Sequence, residues 1–205
     1  MKKYEFTDET KEINGRTLHR IMAVSDSMIA KRGDLGGFIE TGYNLSQDDS
    51  AWVSGDACVY DRSCVIGSAL VMENAVIHDY VWVTGLAYVG GNAKVSGSSL
   101  ISDGAVVTDN AVVEGNSRVV GHTTLNGDAF VTRSTHFINI GAIGSRNGYT
   151  TFFRNKDNGI SVHCGCFNGS IEEFLDRVNE FHGDDKHGKS YRIAVELAKN
   201  QIQLA

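Results

Sequence analysis

Aliphatic side chains recur at every sixth position between residues 53 and 131, without a single insertion. A small residue, usually Ala, Ser or Thr, follows each of them four positions later. The fourteen aliphatic positions are Val53, Val59, Val65, Val71, Ile77, Val83, Val89, Val95, Ile101, Val107, Val113, Val119, Leu125 and Val131. A short, fixed period of this kind is typical of a solenoid, in which each repeat stacks on its neighbours and shares one core with them.

The repeating unit reads Ala-x-Val-x-Gly-Asn/Asp, as in residues 51–56. Residues two apart in a strand project to the same side, so the small and aliphatic side chains face one core and the residue between them faces outward. The Gly-Asn/Asp pair favours a turn, because both residue types tolerate positive φ. Eight of the fourteen glycine positions hold Gly. Each hexad is therefore predicted to form one short strand and one corner.

This pattern resembles the hexapeptide-repeat family of left-handed parallel β-helices, in which three hexads make one triangular coil. It differs in that the glycine comes one position later than is usual in that family. The resemblance covers residues 38–144 and implies a mainly-β fold of about five coils. A likeness of this kind predicts the fold and leaves the function open.

Residues 18 apart should share one position on successive coils if three hexads complete a turn. On one corner this spacing collects only Asn and Asp: Asp56, Asn74, Asn92, Asn110 and Asp128. We interpret this column as a structural ladder that holds the turns. Calcium binding is a weaker interpretation, because the three middle members carry no charge.

The outward-facing columns are unusually apolar. The first contains Trp52, Leu70, Tyr88, Val106 and Thr124; the second Cys58, Val76, Lys94, Val112 and Phe130; the third Cys64, Trp82, Leu100, Arg118 and His136. Large exposed apolar patches mark interaction surfaces, so Trp52, Leu70, Tyr88, Val106, Trp82 and Leu100 are the predicted interaction residues. We expect a homotrimer, as in the resembled family. The alternative is that the two ends of the chain cover these columns.

Both ends of the chain depart from the repeat. Residues 1–37 contain Asn14-Gly15 between alternating segments, which predicts a β-hairpin that caps the first coil. Residues 145–205 are predicted to form a small ββαα domain, with strands over 150–155 and 160–166. A capping box from Ser170 to Glu173 should open its first helix, and its second helix is expected near 191–202.

Composition limits the classes of function. The formal net charge of −6 argues against a broad electrostatic grip on nucleic acid. No apolar stretch is long enough for a membrane span or a signal peptide, so we expect a cytoplasmic protein. The four cysteines do not form a disulfide framework, and the single residue between Cys164 and Cys166 is not the usual metal-knuckle spacing. Neither a metal nor a cofactor is predicted.

Several segments together resemble a family of phage and prophage proteins. They are residues 3–10, 33–40, 153–157 and 164–175, so the likeness spans nearly the whole chain. It implies a host cytoplasm as the setting, but it supplies no activity that transfers residue by residue.

Three kinds of function remain open. The favoured one is a non-enzymatic binding protein that blocks or sequesters a host component, such as a bacterial defence effector or a nucleotide signal. Hexapeptide acyltransferases instead bind coenzyme A in clefts between subunits and use a histidine base, for which His78, His122 and His136 are the candidates. Convergence of these histidines on zinc, as in a γ-type carbonic anhydrase, does not fit their spacing. The third possibility is a structural or virion-associated module.

Overall fold

The computed structural model describes residues 2–204. The chain is mainly β: a parallel β-solenoid of about five coils lies between an N-terminal hairpin and a C-terminal antiparallel sheet with two helices. Before the coils lie β1 (Tyr4–Ile13), β2 (Arg16–Ala23) and β3 (Leu35–Ile39). The solenoid strands are β4 (Trp52–Val53), β5 (Cys58–Val59), β6 (Cys64–Val65), β7 (Leu70–Val71), β8 (Val76–Ile77), β9 (Trp82–Val83), β10 (Tyr88–Val89), β11 (Lys94–Val95), β12 (Leu100–Ile101), β13 (Val106–Val107), β14 (Val112–Val113), β15 (Arg118–Val119), β16 (Thr124–Leu125) and β17 (Phe130–Val131).

Three parallel sheets form the faces of the solenoid. The first face contains β4, β7, β10, β13 and β16; the third contains β6, β9, β12 and β15. The second face contains β5, β8, β11, β14 and β17, and is extended at one edge by the N-terminal strands. Tyr88 pairs with Leu70 on one side and with Val106 on the other, a register of 18 residues. Three hexads therefore complete one coil, as the sequence pattern predicts.

The core is a column of aliphatic and small side chains inside the three faces. Val89 and Val107 on the first face are completely buried, as are the small residues Ala87 and Ala105 beside them. Burying one such valine contributes about 1.5–3 kcal/mol. Because every coil repeats the same contribution, the unbroken six-residue period is the main source of stability for this part of the chain.

The corners depend on left-handed backbone conformations. All eight glycines at the glycine position have positive φ. The other positive-φ corner residues are acidic, namely Asp61, Glu73, Asp79, Asp103 and Asp109. Their carboxylates accept hydrogen bonds from backbone amides 18 residues later, as Asp109 does from Gly127 at 2.8 Å and Asp79 from Gly97 at 2.8 Å. The acidic residues therefore replace glycine where the side chain can tie one coil to the next, a pattern that the sequence interpretation did not include.

The Asx column forms a ladder of side-chain amides. The Asn74 Nδ2 donates to Asn92 Oδ1 at 3.1 Å, and the Asn92 Nδ2 donates to Asn110 Oδ1 at 3.2 Å. At the two ends the column changes to aspartate: Asp56 pairs with Arg20 at 3.0 Å, and Asp128 pairs with Lys156 at 2.8 Å. The charged members thus join the solenoid to the N-terminal hairpin and to the C-terminal domain.

The N-terminal segment closes the first coil. Asn14 and Gly15 occupy the positive-φ turn between β1 and β2, as predicted for the hairpin. β3 then pairs in parallel with β5 and so joins the solenoid. The Tyr4 ring packs edge-on against Trp52 with ring centroids 6.5 Å apart, and its hydroxyl donates to the Leu45 carbonyl at 2.7 Å.

The C-terminal domain contains four strands where the sequence predicts two. They are β18 (Phe137–Ile143), β19 (Gly148–Arg154), β20 (Ile160–Cys164) and β21 (Phe167–Ser170), joined in an antiparallel meander. Residues 137–143, which the sequence resemblance places in the solenoid, instead form β18. The reason is a second core, because Ile138, Ile140 and Ile143 pack on the helices and not on another coil.

Two helices cover one face of this sheet. α1 (Ile171–His182) begins at the predicted capping box, in which the Ser170 side chain accepts from the Glu173 amide and the Glu173 side chain accepts from the Ser170 amide. α2 (Lys186–Gln201) begins earlier than predicted, because Asp185 caps it by accepting from the amides of His187 and Gly188. α2 has 16 residues and is the longer helix within residues 2–204. No helix in this range is long and apolar enough to cross a membrane.

Candidate functional site

A cleft of about 920 Å³ lies between the last coils of the solenoid and the C-terminal domain. His122 and Thr124 line it from the solenoid, and residues 145–149, from the loop after β18 and the start of β19, line its rim. Residues around the turn between β20 and β21, residues of α1 and Tyr191 of α2 supply most of the remaining lining. The cleft therefore exists only because these segments, distant in sequence, meet at the end of the solenoid.

Five basic side chains line the cleft. Arg146, Arg177, His122, His163 and His182 line it, whereas none of the described lining residues is Asp or Glu. Within residues 2–204, no carboxylate lies within ion-pair distance of the Arg146 guanidinium. Arg177 is only loosely paired with a carboxylate, at 3.4 Å, on its own helix. In a chain with a net charge of −6, such a cleft attracts anions locally.

Aromatic rings lie beside these basic groups. The His122 and Tyr149 rings pack together with centroids 4.4 Å apart, and both side chains are exposed. Phe181 is also exposed, and the Arg177 guanidinium lies over its ring at 5.4 Å. Planar faces of this kind can stack on a flat ligand.

The inner end of the cleft contains a phenol that stays protonated. Burial, with a further contribution from Cys164, raises the pKa of Tyr191 to about 12. The Cys164 Sγ lies 3.8 Å from the Tyr191 hydroxyl oxygen. Tyr191 is therefore a neutral hydroxyl group at physiological pH.

A second, smaller pocket of about 630 Å³ lies beside the N-terminal hairpin and contains His78. Its ring stacks on Tyr60, and its Nδ1 is 3.2 Å from Asp79 Oδ1. Asp61, His78 and Asp79 place one potential metal-ligand atom each within 4.8 Å of one another. Both carboxylates already have partners, because Asp61 pairs with Arg16 at 2.5 Å and Asp79 accepts from a backbone amide. A cation at this point would have to displace Arg16.

The three histidines considered as general bases do not converge. His78 lies in the hairpin pocket, and His122 lies at the cleft. His136, predicted to face outward in the third column, is instead 2% exposed in a short 3-10 helix, Ser134–His136. Its Nδ1 accepts from the Thr132 amide at 3.3 Å. Burial, together with two nearby arginines, lowers the pKa of His136.

The predicted interaction residues differ in exposure. Trp52 is only 4% exposed, because Tyr4 and the N-terminal segment cover it. Trp82 on the third face is 46% exposed. The remaining four, Leu70, Tyr88, Val106 and Leu100, are half-buried. The N-terminal segment therefore covers Trp52 at the start of its outward column, whereas the outward side chains of the middle coils stay partly accessible to solvent.

No protein-family model matches this chain, and no curated protein matches it either. Function is therefore inferred from the geometry of the site. Of the candidate bases and interaction residues predicted from the sequence, only His122 lines the cleft, although Thr124, Cys164 and Cys166, named there for other reasons, line it too. A signal for the cleft does exist in residues 163–168, which combine a histidine and two cysteines with no acidic residue.

Proposed function

We propose that this protein is a non-enzymatic binding protein that holds a small organic anion of nucleotide size in the cleft at the end of the solenoid. The observation that carries the proposal is the composition of the lining: two positively charged guanidinium groups and three imidazoles, with no carboxylate among the described lining residues. The rest of the chain is acidic, so the basic lining is confined to a concave site and does not reflect the overall composition.

The size and chemistry of the cleft support a nucleotide. Ligand pockets commonly measure about 300–1,000 Å³, and this one measures about 920 Å³. Guanidinium groups match phosphate oxygens in a fork of parallel hydrogen bonds, and Arg146 is unpaired within the described chain. Tyr149 and Phe181 offer planar faces for a base. A sequestered nucleotide signal is consistent with the host-directed role implied by the phage resemblance.

The test is calorimetric titration of the full chain with nucleoside mono-, di- and triphosphates. Arg146→Ala should weaken binding by about tenfold or more, since a hydrogen bond to a charged group contributes about 1.5–3 kcal/mol. Arg32→Ala is the matched control, because it removes the same charge from the opposite end of the molecule. Equal losses in the two variants, or no binding by any nucleotide, would refute the proposal. Conversion of the bound ligand, followed by NMR, would show that the protein is an enzyme.

The proposal includes a homotrimer formed through the uncovered solenoid faces. Trp82 and the neighbouring corner residues Tyr80 and Leu86 are exposed large hydrophobic side chains, and apolar clusters of this kind favour association. Light scattering should give the mass of three chains, and Trp82→Ser should lower it. A wild-type monomer would refute the trimer but leave the cleft unaffected, because the cleft lies within one chain.

The proposal also includes a host component as the bound partner. Affinity purification from infected cells should recover a small-molecule ligand or a host protein in stoichiometric amount. Recovery of the protein from purified virions would instead favour the structural alternative.

A further inference from the structure

One side of the cleft contains a hydrogen-bonded group of three polar side chains. Asn168 Oδ1 lies 2.8 Å from Asn126 Nδ2 and 2.7 Å from His163 Nδ1. His163 and Asn168 both line the cleft. Asn126 reaches them from the last coil of the solenoid, where its side chain is nearly inaccessible to solvent at 7% exposure.

The orientation of the Asn168 amide assigns the imidazole hydrogen. An amide oxygen only accepts, so the contact of 2.7 Å requires His163 Nδ1 to be the donor. The Asn126 amide nitrogen also lies 3.5 Å from this Nδ1, but two donors cannot bond to each other. A neutral imidazole has one N–H, so His163 Nε2 carries a lone pair. Within residues 2–204, the hydrogen bonds of the His163 ring involve Nδ1 and not Nε2.

The group is held by rigid elements on both sides. His163 and Asn168 are paired across the antiparallel β20–β21 ladder, so their backbones face each other in register. Asn126 directly follows the buried Leu125 of β16 and is therefore fixed by the solenoid core. Placing a polar group on such elements reduces the entropy lost when a ligand binds to it.

We infer that Asn168 and Asn126 hold His163 as the Nδ1–H tautomer, and that Nε2 is a specificity-determining acceptor for a ligand N–H or O–H. The inference rests on the proposed function and narrows it. Among nucleotides, it favours those whose base presents an N–H donor to this nitrogen, and the exocyclic amino group of adenine is such a donor. The arginines recognise the anion, and His163 recognises the base.

The first experiment reads the tautomer without a ligand. Long-range ¹H–¹⁵N correlation spectra of the full chain at pH 8 distinguish a protonated from an unprotonated ring nitrogen. We expect protonated Nδ1 and bare Nε2 in the wild type, with assignment by a His163→Gln variant. Asn168→Ala should shift the signal toward the Nε2–H form. A wild-type spectrum showing Nε2–H would overturn the inference whatever binds in the cleft.

The second experiment reads selectivity with two matched ligands, adenosine 5′-monophosphate and purine riboside 5′-monophosphate, which differ only in the amino group. The wild type should prefer the first by about tenfold, the size expected for one well-placed hydrogen bond. In Asn168→Ala the preference for the amino-bearing ligand should fall below about twofold. Thermal melts confirm that the variant is folded; Asn168 is exposed.

The outcomes separate this inference from the proposed function. Equal binding of both ligands, with binding still dependent on Arg146, would overturn the role of His163 alone. A preference that persists in Asn168→Ala would also overturn it. Failure of every nucleotide to bind would refute the proposed function and the selectivity together.

Discussion

Replacing Gly97 with alanine should test how tightly the coils stack at the corners. Gly97 has a φ of +74°, and a Cβ added to it would lie 2.5 Å from the Gly115 carbonyl oxygen and 2.7 Å from the Gly115 amide nitrogen. Gly121 has nearly the same conformation, with a φ of +70°, but an added Cβ there would have no atom within 4 Å. No solenoid coil stacks over Gly121, so the same substitution there changes conformation without a clash.

The two substitutions share a conformational cost and differ in the steric clash, which only Gly97→Ala creates. A left-handed conformation costs an L-residue about 1–2 kcal/mol, and the reduced entropy of the unfolded chain returns about 0.4–1 kcal/mol. Gly121→Ala should therefore lower the free energy of unfolding by about 1 kcal/mol. Gly97→Ala adds an overpacking cost of about 1–3 kcal/mol, since the clashing atoms belong to backbone and cannot rotate away. Its total effect should be about 2–4 kcal/mol.

The assay is equilibrium unfolding in guanidinium chloride, followed by circular dichroism and by the fluorescence of Trp52 and Trp82. A fall in the midpoint at unchanged m-value identifies a change in stability. If Gly121→Ala destabilises as much as Gly97→Ala, the cost is purely conformational and the stacking explanation is wrong. Full stability of Gly97→Ala would show that adjacent coils are farther apart than described.

Three further predictions concern single side chains. Burial lowers the pKa of His136 below the unfolded value of about 6.5. The neutral ring therefore stabilises the fold above about pH 6.5, and this contribution is lost as the pH falls toward the pKa of His136 in the folded protein. The melting temperatures at pH 7.5 and 5.5 should accordingly differ less in His136→Gln than in the wild type. Burial raises the pKa of Cys64 to about 11, so a thiol reagent should modify exposed Cys166 in the native protein and Cys64 only after unfolding. Ser170→Ala should lower the free energy of unfolding by about 1 kcal/mol, because it removes the side-chain cap of α1. Ser170→Thr keeps a hydroxyl at this position and should retain most of the wild-type stability.

The solenoid could be predicted in detail because its signals are local and repeated. The six-residue period indicates which side chains enter the core, and the 18-residue register of Leu70, Tyr88 and Val106 follows from three hexads per coil. The hairpin turn at Asn14 and the cap at Ser170 were equally accessible, since each depends on a few neighbouring residues. In all of these, chemistry within one short segment decides the structure.

The C-terminal domain was predicted less well, because its strands depend on partners. Residues 137–143 carry a weak version of the repeat, but the helices offer Ile138 and Ile140 a better apolar surface than another coil would. His136 likewise occupies a position that continues the outward column, yet the chain turns before it and buries the ring. Competition between distant packing surfaces decided both outcomes.

The sequence by itself determined the solenoid, its three faces and its two distinct ends, because a period of six dictates the same burial at every coil. Only the tertiary structure decided where the basic cleft lies and what surrounds it. Its residues come from positions 104 to 191, and no local pattern relates Arg146 to His163 or Asn126. They meet because the C-terminal sheet docks on the last coil, and that contact depends on the shape and charge of surfaces that form only after each part has folded.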